Sequence, residues 1–132
     1  MIGAQSTAAR YQQAQVGTAD RGRLLLLMFD GGLRFLAQAR ASLVANDVGR
    51  FGYDLGRAQS IIAELLHTLD HAAGGQIAAD LERLYQFMLE QLVEANRQKS
   101  VRQLDHVAHL LDIVASAFRD ILRNGTPVVD AA

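Results

Sequence analysis

VRQLDHVAHLLDIVASAFRDILRN, residues 101–124, is the stretch whose pattern decides the architecture. Val101, Leu104, Ala108, Leu111, Ala115, Phe118 and Leu122 recur at spacings of three and four, the period of one helix face rather than the alternation of a strand. Ser100 stands where a side-chain oxygen can accept from a free helical amide, and Asn124 and Gly125 end the pattern. Beside the main stripe runs a second, Val107, Leu110, Val114, Ala117 and Ile121, which widens the apolar arc to roughly 200 degrees. A bundle seam needs about half of that. The surplus has three readings, which stay open here: core packing, a homodimer seam, or a groove for a partner helix.

Working outward, Phe51, Leu55, Ala58, Ile62, Leu65 and Leu69 repeat the pattern on a helix from Val48 or Arg50 to Asp70. Ile77, Leu81, Leu84, Met88 and Leu92 carry another to about Arg97. Between them HAAGGQ breaks the chain, with Gly74 and Gly75 expected at positive φ. A further helix is expected to start near Thr18 or Asp20 and to end near Ala45, before a turn at Asn46 and Asp47. Its LLLLMF, residues 24–29, is apolar all round and reads as the most buried segment of the set. Four helices with turns too short to cross over predict an all-α fold, an antiparallel up-down-up-down four-helix bundle over residues 18–124. Residues 1–17 read as a mobile N-terminal segment able to form a short helix through Ala8, Tyr11, Ala14 and Gln15; residues 125–132 read as a flexible tail.

Composition removes most function classes. With 50% hydrophobic and 20% charged residues in a chain of 132, one compact domain is expected. There is no Cys, which excludes disulfides, thiolate nucleophiles and cysteine-zinc sites. Basic residues are scattered, Lys99 is the lone Lys, and the net charge is -1, so no nucleic-acid surface is expected. The longest apolar run lies between Arg23 and Asp30, far short of the roughly 20 residues of a membrane span. The N-terminus lacks a signal-peptide pattern, which predicts a cytoplasmic protein without membrane insertion. Glu64 and His67 form one Glu-x-x-His, but di-iron bundles need two, and helical geometry turns both residues away from the core stripe. His67 with His71 and His106 with His109 lie on polar faces and read as solvated histidines. No nucleophile elbow or inward carboxylate pair is visible, so neither an enzyme nor a cofactor or metal is expected. What remains is binding through apolar surface. Gly31 and Gly32 sit mid-helix, where each costs about 1 kcal/mol relative to Ala, which calls for a close backbone approach by a neighbouring helix or by a ligand helix.

Tyr11, Val16, Thr18-Ala19, Leu24 and Met28-Phe29-Asp30-Gly31-Gly32-Leu33-Arg34-Phe35-Leu36 resemble, in order and spacing, the FliS family of flagellar export chaperones. The likeness continues through Arg57-Ala58, Ile61-Ile62, Glu64-Leu65 and Leu69-Asp70, then Gly75, Ile77-Ala78, Leu81, Leu84-Tyr85, Met88, Leu92 and Ala95-Asn96. Three positions depart from the family pattern. Arg21 stands where proline is frequent, Phe29 replaces a tyrosine, and Phe118 replaces a frequent tryptophan. The resemblance implies a chaperone that holds the disordered C-terminal segment of flagellin in an apolar groove, prevents premature polymerisation and delivers it to the export apparatus. It also implies an N-terminal segment around Tyr11 that acts as a lid, and it leaves room for a co-chaperone or regulator.

From the width of the apolar faces, the client-binding residues are expected to be Tyr11, Leu110, Val114, Ala117 and Ile121, with Gly31 and Gly32 as an addition. The second stripe is expected to face solvent in a free monomer or weak dimer. The competing reading is a self-associating structural bundle in which the same stripe closes a homodimer and no client exists.

Overall fold

The computed structural model describes the backbone of residues 7–124 and the side chains from residue 21 onward. Its elements are α1 (Thr7–Val44), α2 (Val48–His67), a single turn α3 (His71–Gly74), α4 (Gln76–Gln98) and α5 (Val101–Asn124). The four long helices pack antiparallel. α1 lies against α2 and α5, and α4 closes the ring against the same two, so α1 and α4 stand diagonally across the bundle. Leu25, Phe29, Leu36, Phe51, Leu55, Ile62, Tyr85, Met88, Leu92, Leu104, Leu111 and Phe118 form one continuous core between them.

α1 begins at Thr7, well before the expected start at Thr18 or Asp20. The reason is local. Residues 7–16 are rich in Ala, Gln and Arg, which favour helix, and Arg21 keeps a backbone N–H where a proline would remove one. At 38 residues α1 is about 57 Å long against about 36 Å for α5. Residues 1–6 and 125–132, and with them much of the expected mobile N-terminal segment and the whole tail, lie outside the described residues.

The turns follow the sequence closely. Asn46 takes a left-handed φ of 60°, and the Asp47 carboxylate accepts from the Arg50 amide at 3.1 Å to cap α2. α2 ends at His67 rather than Asp70, because Asp70 is recruited as the cap of α3, accepting from the Ala73 amide at 3.0 Å. Of the two glycines expected at positive φ only Gly75 has it, at φ 51° and ψ -121°, a conformation closed to other residues. Ser100 caps α5 as expected, its hydroxyl accepting from the Gln103 amide at 3.3 Å.

Polar ties are concentrated on α1. Arg40 Nε pairs with Asp105 and an Arg119 amino group pairs with Asp30, both at 2.8 Å and both joining α1 to α5. An Arg21 amino group donates to the Thr68 carbonyl at 3.0 Å, holding α1 to the end of α2. Inside the bundle Ser42 Oγ donates to Asp54 Oδ2 at 2.9 Å, with Arg50 Nε 3.5 Å from the same oxygen. α4, by contrast, meets α2 and α5 through apolar side chains and an edge-to-face pair between Phe87 and His106.

The two exposed pairs between α1 and α5 each contribute at most about 1 kcal/mol, whereas the buried one has more at stake. Asp54 is fully buried and its Oδ1 has no partner, so Ser42 is its only hydrogen-bond donor inside the bundle. Ser42→Ala is therefore expected to destabilise the fold by about 1–3 kcal/mol in urea denaturation, and an unchanged midpoint would show the buried contact to be idle.

Candidate functional site

The apolar arc of α5 is divided between core and surface. Taking Leu111 as the inward direction, Asp105 and Arg119 lie about 80 to 120 degrees to one side, where they meet α1. On the other side Val107 and Val114 lie about 40 to 60 degrees away, and Leu110, Ala117 and Ile121 about 80 to 120 degrees away, toward the flank on which His106 meets Phe87 of α4. That spread decides their fates. Val107 is fully buried and Val114 is only 7% exposed, so the expectation that the second stripe faces solvent is wrong at Val114: it belongs to the core. Leu110 and Ile121 are half-buried and Ala117 is exposed.

α4 supplies the opposite bank. The helices run antiparallel with Phe87 beside His106, which brings Leu84 level with Leu110 and Ile77 level with Ala117. Leu84 is half-buried, while Ile77 and Phe87 are 44% and 38% exposed. Ile113, 53% exposed, extends the outer side of α5. The result is a shallow apolar furrow along α4 and α5, rimmed by Ile77, Leu84 and Phe87 on one bank and Leu110, Ile113, Ala117 and Ile121 on the other. Beyond the Phe87–His106 pair the furrow becomes polar, where Gln91, Gln103 and His109 line part of an open cavity of about 720 Å³.

The glycine notch is filled from within. A Cβ on Gly31 would come 3.3 Å from Ile61 Cδ1, and one on Gly32 would come 3.0 Å from Leu111 Cδ2 and 3.5 Å from Ile61 Cγ2. Both glycines are buried, so the close approach is that of α2 and α5 to α1. Tyr11 lies within the helical backbone of α1, and its side chain is outside the described residues. The LLLLMF segment is not buried all round: Leu25 and Phe29 point inward, but Leu24 and Leu27 are 57% and 64% exposed because α1 has neighbours on two sides only.

Titratable groups show little that chemistry could use. Burial pushes the Tyr85 phenol far above its ordinary range, and its hydroxyl has no hydrogen-bond partner, so it stays neutral in the core. Glu64, His67, His71, His106 and His109 are all exposed, and His71 Nε2 lies 3.5 Å from Glu82. Among the described residues no group of three or more His, Cys, Asp or Glu could hold a metal ion, and no helix is long and apolar enough to cross a membrane.

A bundle with an apolar furrow and no reactive cluster fits a binding protein, and comparison with known sequences says which kind. The profile of the family described as Flagellar protein FliS matches residues 3–125. The chain belongs to the FliS family. It is similar to the flagellar secretion chaperone FliSB of Pseudomonas aeruginosa, at 40% identity over 116 residues that cover 85% of this chain and 92% of the relative. It is also similar to the flagellar secretion chaperone FliS of Salmonella typhimurium, at 34% identity over 110 residues, 83% of this chain and 82% of the relative. FliS of Campylobacter jejuni is 29% identical over 116 residues, 88% of this chain and 91% of the relative. As a FliS protein the chain is a flagellar secretion chaperone and not an enzyme.

Within this FliS fold, sequence reasoning missed Ile113, Ile77 and Phe87. Ile77 was assigned to the core stripe, and Ile113 and Phe87 fell outside any stripe. Their signal was available only as large apolar residues flanking a face already full. Val114 carries the correction into a measurement. Placing a carboxylate at this buried position is expected to cost more than about 3 kcal/mol, so Val114→Asp should abolish the cooperative thermal transition rather than leave a folded bundle. A soluble variant melting like the parent would return Val114 to the surface.

Proposed function

We propose that this chaperone binds the disordered C-terminal segment of flagellin along the α4–α5 furrow, one client to one chaperone, in the cytoplasm before export. The observation that carries the reading is the exposed apolar furrow itself: Leu110, Ile113, Ala117 and Ile121 recur at helical spacing along α5 and face Ile77, Leu84 and Phe87. Such a surface is complementary to the apolar face of an amphipathic helix. Membership of the FliS family supplies the occupant, since the assembling faces of flagellin are apolar helices that must be covered before polymerisation.

Covering those faces delays assembly without chemistry. A client that folds as it docks spends part of its interaction energy on ordering, which keeps the complex reversible at the export apparatus. Gly31, Gly32 and Val114 support the furrow from inside, leaving Leu110, Ala117 and Ile121 as the direct contacts on α5. The N-terminal part of α1 around Tyr11 serves as a lid over the client surface. Removing residues 1–16 should then change client affinity, and an unchanged affinity refutes the lid.

Calorimetric titration with a synthetic peptide of about forty residues from the C-terminus of the host's flagellin tests the main reading, that length allowing a helix as long as α5 plus a flanking stretch. A saturable one-to-one complex with a negative heat-capacity change is expected. Ala117→Asp, at an exposed position, should abolish binding and leave the melting temperature within a few degrees of the parent. No binding at high micromolar concentration, together with a tight dimer in sedimentation, would favour a self-associating bundle instead.

A further inference from the structure

The furrow changes character along its length. From Ile77 to Phe87 on α4 and from Ile121 back to Leu110 on α5 it is apolar; past the Phe87–His106 pair it opens into the cavity of about 720 Å³. Gln91 and Gln98 of α4, Ser100 of the turn, and Gln103, His106 and His109 of α5 line this end. Gln103 is the telling member. Its Oε1 is buried and has no hydrogen-bond partner, although it belongs to a half-buried side chain on the wall of an open cavity.

We infer that this polar end docks the main chain of an extended stretch of the same client polypeptide, continuous with the helix held in the apolar end. The inference rests on the proposed client-binding role of the furrow and adds a second recognition mode to it. A buried acceptor without a donor is unfavourable until an N–H reaches it. A helix cannot supply one from its interior, because each of its amides is already paired within the helix. An extended chain presents free amides and carbonyls at every residue, and a carboxamide both donates and accepts, so glutamines match main chain whatever side chains it carries. Three glutamines and a serine hydroxyl on one cavity wall therefore suit polypeptide backbone better than a charged ligand. Of the two charged side chains on the wall, Arg102 and Asp105, the latter is already engaged by Arg40. Continuity with the apolar furrow at His106 makes one polypeptide crossing both halves the natural occupant.

The test uses the full chain and the same flagellin peptide. Gln103→Leu keeps the volume but removes the acceptor, and is expected to weaken binding roughly tenfold without lowering the melting temperature. Gln91→Ala is the second variant in case leucine disturbs the turn, with a severalfold loss expected. In the wild-type complex a non-helical stretch of isotopically labelled peptide should show amide protons protected from exchange, and that protection should disappear with Gln103→Leu. Parental affinity in both glutamine variants, with Ala117→Asp still unable to bind, overturns the inference and leaves the client-binding reading intact. A bound peptide that is helical wherever it is protected overturns it too. Failure of the wild-type chain to bind removes both.

Discussion

The close approach of three helices at Gly32 is the constraint on which the rest of the bundle depends. There the α1 backbone carries no side chain, and Leu111 of α5 and Ile61 of α2 press against it from two sides. A methyl group at Gly32 would already stand at the edge of overlap with Leu111, so this spacing of α1, α2 and α5 is set by an absence of atoms rather than by an attraction. Leu111 is in turn the inward direction of α5. With it seated against α1, the rotation of α5 is determined, and so is which of its apolar residues sink and which remain at the surface.

From that rotation the division between stability and binding follows. α1, α2 and α5 are locked by the glycine contact, by the buried Ser42–Asp54 hydrogen bond and by the pairs Arg40–Asp105 and Asp30–Arg119. α4 completes the core with Tyr85, Met88 and Leu92, yet it meets its neighbours chiefly through apolar contact. Nondirectional contact tolerates an open seam better than a ladder of directional bonds does. The furrow lies on that seam, with the secretion chaperone's rigid side behind it.

Much of this was legible in the sequence, because helix periodicity is a local property. The three-four spacing of residues 101–124, the Asn46-Asp47 turn and the Ser100 cap each depend on a few neighbouring residues, and each appears where the spacing places it. The start of α1 was misjudged because Thr18 and Asp20 are good caps in isolation, whereas residues before them favour helix and nothing interrupts it. The site was legible only in part. A helical wheel reports how wide the apolar arc of α5 is, but not where α4 will stand against it; Val114 and Ala117 share a stripe on the wheel and end on opposite sides of that boundary. Asp54, which falls within the apolar period of α2, gave no sequence sign that Ser42 would reach it. Gln103 is likewise ordinary until a cavity forms around it.

The unbroken length of α1 has a mechanical meaning. One hydrogen-bonded rod runs from Thr7 through Arg21 and the glycine contact to Val44, with no proline joint along it. An α-helix is stiff along its axis, so a tilt or twist imposed on its leading end is carried into the saddle where α2 and α5 rest rather than being absorbed on the way. A proline at position 21 would act as an elbow and uncouple the two halves. With arginine there, the chaperone's leading end and its core move as one lever.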